Sequence, residues 1–196
     1  RASVAWQGRE IDLTPPWRRL RVLDAVREAL GESALESDSA LREAAKKAGA
    51  GIEGDEPRAE VIEAVLDEIV EPGLIEPTFL TDYPKEISPL AKERPDEPDI
   101  VERFEVFVAG LELGNSFSEL NDPDEQRRRF ARQEEQRTAG EGEAHGMDED
   151  FVRALEHGMP PTGGLGIGVD RLVMLFTDSW NIRDVVLFPP MRPEEE

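Results

Sequence analysis

Arg103-Phe104-Glu105-Val106-Phe107-Val108-Ala109-Gly110-Leu111-Glu112-Leu113-Gly114-Asn115-Ser116-Phe117-Ser118-Glu119-Leu120 reads as two strands joined at Ala109-Gly110. With a two-residue turn, Val108 faces Leu111 and Phe107 faces Glu112. Glu105 shares a face with Phe107, because strand side chains alternate. Glu105 and Glu112 are then diagonal neighbours on one face, roughly 7–8 Å apart at Cα, within bridging reach of two long carboxylates. No Lys or Arg lies between them to neutralise the pair. Two like charges so placed repel unless water or a cation intervenes. Mg²⁺ suits such a place, since it takes one or two carboxylates plus substrate phosphates. The competing reading leaves both glutamates pointing into solvent.

Further along the second strand, Asn115, Phe117 and Glu119 share a face by the same alternation. An amide, an aromatic wall and a carboxylate can hold a cationic amino-acid side chain. The carboxylate pairs with the ammonium and the ring packs on the methylene stem. Strict alternation would put this set opposite Glu112. A single pocket therefore requires a change of parity between Glu112 and Asn115, with a bulge at Gly114, where glycine tolerates the torsions.

The second informative stretch is Gly163-Gly164-Leu165-Gly166-Ile167-Gly168-Val169-Asp170-Arg171. Alternation sends Gly164, Gly166 and Gly168 one way and Leu165, Ile167 and Val169 the other, the latter expected in a core. A strand without side chains on one face offers a shelf on which adenine can lie. Arg171, at the start of the following helix, can reach a phosphate with its planar, permanently charged fork. No Gly-Lys-Ser/Thr follows, so this is not a P-loop. Glycines for tight helix-on-sheet packing explain the pattern equally well.

Around these stretches the pattern predicts a hairpin over 3–13, a helix over 18–30 ended by Gly31, and a helix over 39–48 capped by Asp38 or Ser37. It predicts an apolar-striped helix over 56–70 and a strand over 75–80. Asn121-Asp122-Pro123 opens a long polar helix to about Thr138, read as a solvated insertion. An acidic link over 139–146 holds His145, and a helix over 147–156 ends at His157. Neither histidine is assigned a role. A helix over 170–177, read mostly as core, and a short strand over 185–188 complete the chain.

Composition bounds the function. Of 196 residues, 38% are hydrophobic and 34% charged, and the formal charge is −21, with only four lysines. Phosphate chains are gripped by Lys and Arg, so these residues are not expected to bind nucleic acid on their own, and any basic anchor for RNA must lie elsewhere. The acidic, lysine-poor balance suits high salt or a GC-rich coding bias. The absence of cysteine rules out disulfides and thiolate chemistry and fits a reducing, cytoplasmic setting. No apolar run has the length of a membrane helix, so no membrane partner is expected.

Glu76-Pro77-Thr78-Phe79-Leu80-Thr81-Asp82-Tyr83-Pro84 and Ser88-Pro89-Leu90-Ala91, together with Arg103 to Phe107 and Glu112 to Asn121, closely resemble bacterial-type class II lysyl-tRNA synthetases. Gly164 to Phe176 resembles motif 3 of that class, and Asn181 to Pro189 its lysyl branch. The resemblance implies an α+β fold, an antiparallel sheet flanked by helices, with residues 1–196 forming the C-terminal portion of the catalytic domain and a helical insertion at about 121–158. It implies activation of L-lysine by ATP to lysyl-adenylate and transfer to tRNA(Lys). By position it gives Glu105 and Glu112 to Mg²⁺ on ATP, Asn115, Phe117 and Glu119 to lysine, and Arg171 to the γ-phosphate as the catalytic arginine. Gly164, Gly166 and Gly168 form the nucleotide shelf.

The resemblance does not extend to the family's anticodon-binding domain, its dimer-forming motif 1 or its motif 2. These residues are therefore expected to be a piece of a longer homodimeric enzyme, inactive alone. Two rivals remain at this point. One is a lysine-activating paralogue that modifies a protein, against which Asn181 to Pro189 and the helical insertion argue. The other is a non-catalytic, synthetase-like interaction module, against which the retained Glu105, Glu112 and Arg171 argue.

Overall fold

The computed structural model describes residues 2–138 and 148–189. The expected hairpin is present: β1 (Ser3–Trp6) pairs antiparallel with β2 (Arg9–Asp12), and Gln7 and Gly8 take φ values of 48° and 78°. Such left-handed torsions match the twist of a tight hairpin.

Arg18–Arg21 is a strand, β3, and the helix expected from residue 18 starts only at Val22, as α1 (Val22–Leu30). Of the four strand residues only Leu20 is buried. They pair in parallel with β4 (Thr78–Thr81), and that pairing overrides the local helical pattern. A parallel neighbour needs a crossover. Here α1, α2 (Asp38–Ala48) and α3 (Arg58–Val65) supply it. Ser37 caps α2 by accepting the Ala40 N–H at 3.1 Å. The stripe read over 56–70 is one buried face: α3 runs on into a π-turn at Leu66–Val70, and Val61, Ile62, Val65, Leu66 and Val70 are all buried.

β4 continues the sheet to β5 (Arg103–Val108), β6 (Leu111–Ser118) and β7 (Gly163–Ile167), each pair antiparallel. The order is β3-β4-β5-β6-β7, so the expected antiparallel sheet is real from β4 onward and mixed at β3. Two apolar clusters hold it. On one face, Leu20, Leu80 and Phe107 pack under α1 to α3. On the other, Val108 and Leu113 pack with Met174 and Leu175 of α6 (Val169–Thr177) and with Val4, Trp6 and Ile11 of the first hairpin. Burying a Leu, Ile or Phe side chain stabilises by about 1.5–3 kcal/mol, so these clusters fix the orientation of β5 and β6.

Three expectations from β7 onward fail. Leu165, Ile167 and Val169 do not enter a core; they are 65%, 55% and 67% exposed. β7 is the outermost strand of this sheet, and nothing among the described residues covers that face. For the same reason α6 is only half core: Met174 and Leu175 are buried but Val173 and Phe176 are exposed. Val185 to Phe188 forms no strand, and a 3-10 turn at Ile182–Asp184 precedes it. No strand among the described residues pairs with it.

The polar helix α4 (Pro123–Thr138) forms as expected, with Asp122 Oδ1 accepting the Asp124 and Glu125 N–H groups at 2.9 and 3.1 Å. It is not simply solvated. Gln126 and Arg129 are buried, and Arg129 donates to the Ala91 carbonyl at 2.7 Å and to Glu125 at 2.9 Å. Phe130 meets Phe151 of α5 (Glu149–Glu156) at 6.0 Å between ring centroids. The acidic link with His145 lies outside the described residues; His157 is exposed at the end of α5. No described helix is long and apolar enough to cross a membrane.

Candidate active site

The β5–β6 hairpin turns at Ala109 and Gly110, with φ values of 59° and 72°. Val108 faces Leu111 and Phe107 faces Glu112. The register then slips: Val106 faces Gly114, and Leu113 has no partner across the ladder. This is the change of parity that a common pocket requires, one residue ahead of Gly114. The glycine is needed there for another reason. A Cβ at Gly114 would sit 2.9 Å from the Gly166 carbonyl oxygen of β7, closer than real Cβ atoms approach.

The slip decides the face. Glu105 pairs with Asn115, Arg103 with Phe117, Asn115 with Gly166, and Phe117 with Gly164. Glu105, Glu112, Asn115, Phe117, Glu119, Gly164 and Gly166 therefore share one side of the sheet. The glycines are not equivalent. A methyl at Gly164 would collide with the Glu119 carboxylate, and at Gly168 it would meet the aliphatic stem of Arg171 at 3.5–3.7 Å. At Gly166 the nearest atom is the Asn115 carbonyl oxygen at 3.8 Å, so only this part of the shelf is open.

The two glutamates are not the bare, mutually repelling pair expected. Arg103 Nη2 lies 2.5 Å from Glu105 Oε1, and the Tyr83 hydroxyl donates to Glu105 Oε2 at 2.7 Å. Arg103 is itself held by Ser88 Oγ at 2.7 Å and the Ile87 carbonyl at 3.1 Å, and lies 4.4 Å from the centre of the Tyr83 ring. Burial, then the Glu105 charge, pushes the Tyr83 hydroxyl far up, so it stays a donor. Glu112 pairs with Arg171, whose Nη1 reaches Glu112 Oε2 at 2.8 Å and its backbone oxygen at 2.9 Å. The signal for Arg103 was present in the sequence: two residues before Glu105, it must share its face.

Glu71, in the 3-10 turn Glu71–Gly73, joins this neighbourhood and was not foreseen. Burial, then Asp67, Glu105 and Glu112, pushes its carboxyl up to about 7, against the opposing pull of Arg171. No periodicity singled it out, because it ends a helical stretch whose meaning was core packing. Glu119 forms no ion pair among the described residues, and burial raises its pKa. Asn115 Oδ1 is buried with no hydrogen-bond partner. A cavity of about 550 Å³ lies mainly on the opposite sheet face, lined by Arg19, Arg21, Thr81, Phe104 and Ser116; of the residues gathered at the site, Phe117 and Arg103 touch it.

Among the described residues no three His, Cys, Asp or Glu side chains are arranged to hold a metal by themselves. Glu105 and Glu112, two carboxylates on one face of the hairpin, are the smaller set that Mg²⁺ accepts when phosphates complete its shell. The residues thus fit a metal that shares its coordination with a nucleotide.

The family described as tRNA synthetases class II (D, K and N) matches residues 2–192. The chain belongs to the class II tRNA synthetases. This synthetase chain is 54% identical over 196 residues to a lysine–tRNA ligase of Thermoanaerobacter pseudethanolicus, covering 99% of the chain and 39% of that protein. It is 55% identical over 195 residues to the lysine–tRNA ligase of Moorella thermoacetica, covering 98% and 40%, and 54% identical over 195 residues to that of Thermosynechococcus vestitus, covering 98% and 38%. The synthetase chain thus spans about two fifths of the length of the curated relatives it matches.

Proposed function

We propose that the intact protein activates L-lysine with ATP to lysyl-adenylate and transfers the lysyl group to tRNA(Lys), and that this chain carries the metal, γ-phosphate and lysine-ammonium parts of the site. The observation that carries the reading is the register slip at Leu113, which gathers Glu105, Glu112, Asn115, Phe117 and Glu119 on the glycine face beside Arg171. The names of the relatives support lysine over the aspartate and asparagine that the wider family also serves.

The chemistry needs no protein nucleophile. The lysine carboxylate attacks the α-phosphorus and pyrophosphate leaves, so the protein's part is position and charge compensation. The nucleotide lies over Gly166 with Arg171 on its γ-phosphate. Glu112 and Glu105 would hold Mg²⁺, which would offset phosphate charge as a Lewis acid, and Asn115 faces the lysine. Glu119 receives the ε-ammonium and Phe117 packs on its methylene stem. The reading includes a cytoplasmic homodimer, with the RNA-gripping surface supplied outside these acidic residues.

Amino-acid-dependent pyrophosphate exchange by the intact protein tests this. Lysine should drive exchange, Glu119→Gln should raise the lysine KM with little change for ATP, and Arg171→Ala should abolish exchange. Exchange driven by aspartate or asparagine, or a Glu119→Gln enzyme with an unchanged lysine KM, would remove the reading.

A further inference from the structure

Both carboxylates assigned to the metal already carry a guanidinium, and the two pairs are built differently. Arg103 and Glu105 form a closed pair: their side chains are 19% and 10% exposed, Tyr83 donates to the second carboxylate oxygen, and Ser88 and Ile87 hold the guanidinium from behind. Arg171 and Glu112 form an open pair, 45% and 32% exposed, in which the arginine hangs on its partner by one nitrogen. Exposed pairs exchange partners at little cost, whereas separating a buried pair strands a charge.

We infer that Arg103 is a built-in counter-ion that prevents Glu105 and Glu112 from holding a divalent cation on their own, and that Arg171 is a displaceable one, so the site takes its metal only together with a triphosphate. This rests on the reading of Glu105 and Glu112 as the metal and nucleotide site. An isolated divalent ion approaching this face meets two carboxylates whose charge is cancelled. A triphosphate changes both terms. It brings anionic oxygens that complete the shell of the ion, and it offers Arg171 a better-matched bidentate partner than one carboxylate oxygen. Arg171 moves to the phosphate, and Glu112 is released to the ion. Glu105 keeps Arg103 throughout and contributes a lone pair rather than a free charge. Arg103 is thus a positioning residue for the metal site, acting through Glu105.

Mn²⁺ binding to the intact protein, followed by electron paramagnetic resonance and water-proton relaxation with and without a non-hydrolysable ATP analogue, tests this. Glu112→Gln separates the site from the acidic surface. Without nucleotide, wild type and Glu112→Gln should titrate alike; with the analogue, wild type should gain a Mn²⁺ site that Glu112→Gln lacks. Arg103→Met should gain a nucleotide-independent Mn²⁺ site at least tenfold tighter than anything in wild type, and Arg103→Lys, which keeps the charge, should not. A Glu112-dependent Mn²⁺ site in wild type without nucleotide overturns the inference and leaves the assignment of the site standing. No Glu112-dependent site even with the analogue overturns both. A folded Arg103→Met protein that gains no site overturns the role of Arg103. If Arg103→Met does not fold, the wild-type comparison still decides.

Discussion

Replacing Glu71 by Gln should stabilise the protein, and the more so as pH rises. Glu71 is half-buried beside Asp67, Glu105 and Glu112, and its carboxyl is pushed up to about 7 from an ordinary 4.5. A rise of that size corresponds to about 3 kcal/mol at 1.36 kcal/mol per pH unit. Partial exposure screens it, and a discount of half or more leaves about 1–2 kcal/mol. The sign follows from proton counting. Below about pH 4.5 the folded and unfolded chains both hold the proton, and Gln is a neutral match for a neutral acid. Between 4.5 and about 7 the folded state keeps a proton that the unfolded chain has released, so stability falls as pH rises. Above about 7 the whole penalty is present, and Gln escapes it. Urea unfolding of wild type and Glu71→Gln in EDTA, followed by tryptophan fluorescence at pH 5 and pH 8.5, measures the difference. At a urea slope of about 2–3 kcal/mol/M, the variant's midpoint should exceed wild type by about 0.5 M at pH 8.5 and by roughly a quarter to a half of that at pH 5. A difference independent of pH, or a Gln variant weaker at pH 8.5, refutes the placement of Glu71 among these carboxylates.

The two glycines should separate the two substrates. Gly164→Ala pushes the Glu119 carboxylate aside, so the lysine KM in pyrophosphate exchange should rise about tenfold or more, about 1.4 kcal/mol, with the ATP KM little changed. Gly166→Ala enters the open shelf and should raise the ATP KM instead; equal effects of both variants on both substrates would contradict the geometry. Tyr83→Phe removes one hydrogen bond to a buried carboxylate and should cost about 1.5–3 kcal/mol in urea unfolding; a loss under 0.5 kcal/mol would show that the hydroxyl does not hold Glu105. Norleucine, which lacks the ammonium of lysine, should be rejected by about 10⁴-fold in kcat/KM, and activation within tenfold of lysine would exclude Glu119 as the ammonium partner.

Much of the site was legible because strand parity is a strong constraint. Alternation placed Glu105 with Phe107, and the need for a common pocket demanded a slip before Asn115, which the ladder makes at Leu113. The glycine repeat was legible as a bare face, but not which glycine stays bare: that depends on where Glu119 and Arg171 lay their side chains, a matter of tertiary approach. Arg18 to Arg21 was misread because a short strand beside a helix has no period of its own; its partner Thr78–Thr81 lies more than fifty residues on. Leu165, Ile167 and Val169 carry the pattern of a buried strand face, yet nothing among the described residues covers them. A hydrophobic pattern reports that a face is to be covered and is silent on what covers it. Glu71 was invisible for a related reason, since its significance comes from neighbours distant in sequence.

Charge matching links the fold to the proposed chemistry. A chain of net charge −21 that gathers glutamates on one sheet face must offset their repulsion or leave them protonated. This face uses three solutions side by side. Glu105 and Glu112 receive guanidiniums from Arg103 and Arg171. Glu71, with no such partner among the ion pairs of the described residues, is pushed toward neutrality. Glu119 forms no ion pair among the described residues: it rests against Gly164, partly desolvated, with its pKa raised. A desolvated carboxylate kept without a protein cation gains most when a cation arrives from outside, because pairing recovers the solvation it has lost. In the proposed reaction that cation is the lysine ammonium, and Phe117, on the same face of the strand, lies where the methylene stem must pass. The unpaired acid also lets the position discriminate. An uncharged amino acid of equal length would fill the space and leave Glu119 stranded, so selectivity comes from the cost of the unpaired acid more than from the fit of the chain.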